Sequence, residues 1–152
     1  MSIVTKKGDE GYTLSFQGKR IKKNDKIIKF SSVLDETISF LGVIISNATN
    51  EEYILIFRSI QKDFLYIYSL EEKYLLEKTK EMEKYIDGSN LKFEGFVIPG
   101  KNKNSALIHY ARSLVRKCEI AYLDAFGIKN KFLCAYLNRL SDYLFIIAEE
   151  VN

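Results

Sequence analysis

The chain has 152 residues, 47% apolar, with a single proline and a formal net charge of +3. That suffices for one domain with a sizeable core and argues against a disordered chain. The small, interspersed charge excludes the strong basic footprint of a nucleic-acid binder, and no apolar run reaches the roughly 18 residues of a membrane span. A cytoplasmic protein of one domain over residues 1–152 is the expectation.

The first segment, Val4 to Thr13, is punctuated by Gly8 and Gly11 and carries Lys6 and Lys7. Glycine frees the backbone to aim amides at an anion, and the lysines add charge. The spacing is not that of a P-loop, so a flexible terminus or plain turn competes with an anion-binding loop. From Leu14 to Ile28 the apolar spacing is irregular around the basic run Gly18-Lys19-Arg20-Ile21-Lys22-Lys23, which predicts loop with a short extended piece.

The first helix is predicted to start at Ser31 or Ser32, either a suitable N-cap, with Asp35 and Glu36 in its first turn. Leu34, Ile38, Leu41 and Ile45 form its apolar stripe. A second helix is predicted from Glu51, and a third over Leu70 to Ile86 after a break between Tyr68 and Lys73. Asp87-Gly88-Ser89-Asn90 is a stop signal. The connection that follows holds Phe96, Val97, Ile98 and Pro99-Gly100; such apolar loop residues either pack under the domain or line a pocket. A fourth helix is predicted over Asn104 to Phe126, capped by Gly127, and a fifth over Lys131 to Glu150. In the fifth, Leu133, Leu137, Leu140, Leu144 and Ile147 repeat like a bundle seam.

In the fourth helix His109, Arg112, Arg116 and Glu119 share a face by the ~3.6-residue period. Like charges four apart repel, so a face that keeps both arginines is either a solvated stripe or a polyanion site. Cys118 and Cys134 lack metal or disulfide spacing and read as structural thiols, and a lone histidine cannot furnish a His-based metal site. No protein side chain is assigned as a metal ligand.

Five ordered patches carry a family resemblance: Thr5-Lys6-Lys7-Gly8-Asp9-Glu10-Gly11-Tyr12-Thr13; Val33-Leu34-Asp35-Glu36; Phe96-Val97-Ile98-Pro99-Gly100; His109 through Glu119; and Tyr136-Leu137-Asn138-Arg139-Leu140-Ser141-Asp142-Tyr143-Leu144-Phe145. Together the chain resembles the PduO-type ATP:cob(I)alamin adenosyltransferases. The resemblance implies an all-α, five-helix bundle of ferritin-like up-down packing, with an irregular N-terminal nucleotide-binding segment. It also implies a homotrimer with active sites between subunits, served by a corrinoid reductase and feeding adenosylcobalamin-dependent enzymes.

The implied reaction moves the 5′-deoxyadenosyl group of ATP to the cobalt of reduced cobalamin, releasing triphosphate with Mg2+ assisting. The nucleophile is then the metal of the substrate, which suits a chain poor in His and Cys. A non-catalytic sensor or delivery module that binds ATP and cobalamin is the alternative.

The resemblance assigns Thr5, Lys6, Lys7, Gly8, Asp9, Gly11, Thr13 and Lys23 to the ATP triphosphate. Arg116 contacts phosphate, Glu119 supports the arginines, and Asn138 holds the nucleoside. Asp35 and Arg112 pair between the first and fourth helices, and Phe96 covers the corrinoid's lower face. Departures are Ser32 and Lys101 for glycines, Lys117 for an arginine, and Ile120 and Glu149 where arginine is usual. His109 has no assigned role.

Overall fold

The computed structural model describes Val4, Lys6, residues 8–91 and residues 95–151. Thr5 and Lys7 lie outside the described residues. Helix α1 spans Lys26–Asn47, α2 Glu51–Leu65, α3 Glu72–Gly88, α4 Lys103–Phe126 and α5 Lys131–Glu150. A short 3-10 turn, Ile67–Ser69, joins α2 to α3 at the predicted break. Helix α2 packs on α1, α1 on α4, α4 on α5, and α5 on α3. This is the expected all-α five-helix bundle.

One local expectation is met in more detail and one is corrected. The short extended piece expected before the bundle is one strand of a hairpin: β1 (Tyr12–Leu14) and β2 (Arg20–Lys22) pair antiparallel, with Thr13 opposite Ile21. The hairpin closes at Ser15, whose amide donates to Lys19 O at 2.8 Å, and Gly18 takes a φ of 76° that favours glycine. Phe16 anchors it by stacking on Tyr68 at 3.9 Å.

Helix α1 starts five residues before the predicted Ser31, with Asp25 as N-cap accepting from Ile27 N at 2.8 Å. The reason is Phe30, wholly buried and edge-on to Tyr122 and Phe126 of α4, which extends the apolar stripe a turn backward. Ser31 does not cap; its hydroxyl donates to Ile27 O at 3.0 Å, inside the helix. Asp35 and Glu36 therefore sit mid-helix, away from the dipole's positive end.

The apolar core draws on all five helices, from Leu41 and Phe57 to Leu75, Val115 and Leu144. Each such burial is worth about 1.5–3 kcal/mol before entropy is subtracted. The core also holds one carboxylate. Asp63 of α2 is buried and accepts from Tyr74 of α3 and Tyr136 of α5, both at 2.6 Å. Burial, then Asp63's charge, pushes Tyr136 well above the usual phenol range, so both tyrosines stay protonated donors. This cluster clasps α3 to the bundle.

Candidate active site

Helix α4 carries the arginine face because its other face is fully used: Ile108, Ala111, Leu114, Val115 and Cys118 are buried in the core. The predicted stripe is not uniformly solvated. His109 is buried, Arg112 and Glu119 are half-buried, and Arg116 is exposed. Burial lowers the Arg112 pKa first, the neighbouring Arg116 adds to it, and Asp142 opposes both. A guanidinium so placed carries a standing demand for an anion or acceptor.

Arg112, Arg116, His109, Asp142 and Phe145 line a cavity of about 470 Å³, closed on one side by Phe96 and Val97. Phe96 is fully exposed and Ile98 nearly so, so the apolar connection does not pack under the domain. A shallower cavity of about 290 Å³, lined by Arg112, Ser113, Arg116, Lys117 and Ile120, continues along the same helix. Ile120 is 65% exposed there, a greasy side chain beside two cations. A further cavity, of about 380 Å³ around Asp63, holds none of the sequence-predicted residues.

Among the described residues, the predicted Asp35–Arg112 pair does not form within the chain. Helices α1 and α4 are instead bridged by Glu36 and Lys117, at 2.6 Å. Asp35 lies exposed on the outer side of α1, while Arg112 turns over the Phe145 ring of α5 at 5.8 Å. Arg112 Nε is buried without a hydrogen-bond partner. Glu119 does meet Asn138 across α4 and α5, at the long distance of 3.5 Å.

The loop before the hairpin folds on itself. Asp9 N donates to Lys6 O and Gly11 N to Gly8 O, each at 3.3 Å, with positive φ at Lys6 (57°) and Gly11 (79°). Lys23 N donates to Gly11 O at 2.9 Å, bringing the Lys23 side chain over Gly8. A Cβ at Gly8 would stand 3.0 Å from Lys23 Nζ, so the glycine makes room for the ammonium. Lys6, Gly8, Asp9, Gly11, Thr13 and Lys23 thus form one basic turn. Among the described residues no hydrogen bond or ion pair joins it to Arg112, Arg116 or Asn138.

The sequence reading missed one contact at the cavity. His109 Nε2 lies 2.7 Å from Glu149 Oε1, and the His109 Nδ1 atom is buried without a partner. Glu149 follows Asp142 and Phe145 at helical spacing, which puts it on their face of α5. Its meeting with α4 depends on helix packing that no local pattern encodes. The cysteines are unpaired, and burial, then Glu119, pushes the Cys118 thiol up to about 12.

The family model described as cobalamin adenosyltransferase matches residues 3–151. A corrinoid adenosyltransferase of Citrobacter freundii is 34% identical, over 96% of this chain and 92% of its own length. The corrinoid adenosyltransferase PduO of Salmonella typhimurium is 28% identical over 97% of this chain, which spans only 49% of that relative. Among solved structures, a variant PduO-type ATP:corrinoid adenosyltransferase of Lactobacillus reuteri, complexed with cobalamin and ATP, shares the fold. The match has a TM-score of 0.84 at 20% identity, over 97% of this chain and 89% of that one. With the family model spanning nearly the whole sequence, this chain belongs to the cobalamin adenosyltransferase family.

Proposed function

We propose that the chain transfers the 5′-deoxyadenosyl group of ATP to the cobalt of cob(I)alamin, working as a single domain in a cytoplasmic homotrimer. The observation that carries this reading is the cavity where Arg112 and Arg116 face Phe96, an anion-seeking wall opposite an exposed aromatic. In the reaction the cobalt electron pair attacks C5′, the C5′–O bond breaks, and its electrons leave with the triphosphate. The protein supplies orientation and charge, not a nucleophile.

Arg116 is exposed and without an ion pair among the described residues, placed to hold the leaving triphosphate through directional, charge-assisted bonds. Lys6, Gly8, Asp9, Gly11, Thr13 and Lys23 wrap the phosphates from the other side, and the resemblance adds Thr5 and Lys7 to that set. Asn138, oriented by Glu119, binds the nucleoside. Phe96 covers the corrinoid's lower face and keeps an axial donor off the cobalt, which eases its reduction. Mg2+ enters on the triphosphate, in keeping with its preference for phosphate oxygens and one or two carboxylates over an all-protein cage.

Two observations support assembly. Among the described residues no hydrogen bond or ion pair joins the basic loop to the arginine face, which accords with an ATP site that draws on two chains. The outer faces of α1 and α4 also expose Val43, Tyr110, Ile120 and Leu123, apolar area suited to a second copy. Asp35 of one protomer then reaches the Arg112 terminal nitrogens of the next. Among the described residues no helix is long and apolar enough to cross a membrane.

The deciding experiment incubates the protein with ATP, Mg2+ and chemically reduced cobalamin and follows the adenosylcobalamin spectrum together with triphosphate release. Light scattering reports the mass of the assembly. Corrinoid binding without product at any enzyme concentration would replace the enzyme with a binding module.

A further inference from the structure

Among the described residues, two buried polar atoms on one wall of the Phe96 cavity have no hydrogen-bond partner: His109 Nδ1 and Arg112 Nε. Both residues line the cavity, and His109 is only 3% exposed. As i and i+3 neighbours on α4 they project side by side, with Cβ atoms about 5–6 Å apart. Buried polar atoms are costly to leave unpaired, which makes the two together a statement about what fills the cavity.

With the imidazole neutral, their chemistry is opposite. His109 Nε2 is 2.7 Å from Glu149 Oε1. An ionised carboxylate can only accept, so Nε2 carries the hydrogen, and in the neutral ring Nδ1 is left as an acceptor. Arg112 Nε–H is always a donor. The charged groups nearby do not change this. Asp142, a carboxylate that lines the cavity, is engaged by Arg139 at 2.7 Å, and Arg116 offers only donors.

An acceptor beside a donor is the complement of a primary carboxamide, whose NH2 gives and whose C=O receives. A phosphate or a carboxylate matches only the arginine half. We infer that His109 and Arg112 together bind one of the primary carboxamides on the rim of the corrinoid, with Glu149 fixing the imidazole tautomer. The contact pins the macrocycle against Phe96 and makes His109 and Glu149 specificity-determining residues. Arg112 retains its terminal nitrogens for Asp35. The inference rests on the reading of this cavity as the corrinoid seat.

The test uses two corrinoids alike except at the rim, one bearing primary carboxamides and one bearing methyl esters. The ester keeps the carbonyl acceptor and neutrality and loses the N–H donor. Binding is measured by equilibrium dialysis with ATP present, and kcat and KM are measured alongside. The wild-type chain is expected to prefer the amide corrinoid. His109→Phe keeps a ring against Phe145 and lowers the amide-to-ester ratio by about tenfold, the worth of one hydrogen bond. The KM for ATP stays unchanged, and His109→Asn restores part of the ratio.

Glu149→Gln is a second arm that removes no core volume. Its amide can donate to Nε2 and turn Nδ1 into a donor, so the ratio falls there too. An unchanged ratio in His109→Phe and Glu149→Gln overturns the inference alone. Failure of the wild-type chain to bind either corrinoid overturns it together with the proposed function.

Discussion

Replacing Arg116 with alanine separates a catalytic guanidinium from a structural one. The side chain is exposed and has no hydrogen bond or ion pair among the described residues, so its loss should move stability by no more than about 0.5 kcal/mol. For a chain of this size that is a melting shift of about 2 °C or less. The same change also removes the cation that depresses the Arg112 pKa after burial, so Arg112 becomes easier to keep charged. Catalysis should respond quite differently. A donor aimed at charge that develops in the transition state is worth about 2.7–4 kcal/mol, which predicts a fall in kcat of about 100- to 1000-fold. The assay is adenosylcobalamin formation under saturating ATP and reduced cobalamin, with light scattering on the same samples. A variant of normal mass and melting temperature whose kcat stays within threefold of wild type would refute the assignment. A variant that dissociates or melts many degrees lower would show that Arg116 holds the assembly instead.

Gly8→Ala puts a methyl group 3.0 Å from Lys23 Nζ. It should raise the KM for ATP several-fold, with helicity by circular dichroism unchanged, because only a flexible lysine end must move. Asp63→Ala leaves the Tyr74 and Tyr136 hydroxyls without their shared acceptor; denaturant melts should show a loss of about 2–5 kcal/mol. The Cys118 thiol, pushed up to about 12 by burial and then by Glu119, should resist thiol reagents at pH 8 in the folded protein. The sign for stability follows: the folded state holds this proton more tightly, so the contribution is complete below pH 9 and is lost as pH rises toward 12. Urea midpoints measured across that interval should fall with pH, and less steeply in Cys118→Ala. Ile120→Arg restores a guanidinium at an exposed position beside Arg116 and should lower the KM for ATP without altering the melting temperature.

The helices were largely legible because their signals are local. Leu133 to Ile147 repeat at bundle spacing, Gly127 caps α4, and α5 begins and ends where its pattern does. The start of α1 was not legible, since Asp25 and Phe30 follow a basic run that looks like loop. Only packing against Tyr122 and Phe126 shows that Phe30 belongs to the helix. The site divides in the same way. Arg112 and Arg116 could be placed on one face from spacing, and the glycine loop could be suspected from composition. What α4 faces is a tertiary fact, so neither the absence of an Asp35–Arg112 pair within the chain nor the His109–Glu149 contact was visible.

That contact changes the meaning of two departures from the family pattern. Lys101 stands where the resemblance places a glycine, and Glu149 where it places an arginine. Lys101 Nζ donates to the Glu149 carbonyl at 3.1 Å, while the Glu149 carboxylate takes His109 at 2.7 Å. The two therefore act at one point, tying the connection that carries Phe96 to the end of α5 and setting the imidazole beside the cavity. An arginine at 149 would add a third guanidinium to a wall where Arg112 already bears the cost of burial and of Arg116. Glutamate avoids that repulsion and gives His109 Nε2 a carboxylate partner at 2.7 Å. Charge removed from the phosphate side at Ile120 is a different matter, because nothing in the shallow cavity beyond Arg112, Arg116 and Lys117 replaces it. Lys117 is already held by Glu36, so in the proposed site the triphosphate would lean on Arg116 and on the lysines of the basic loop. A chain built this way should tolerate loss of Glu149 in ATP binding but not in corrinoid choice, and loss of Lys23 in corrinoid choice but not in ATP binding.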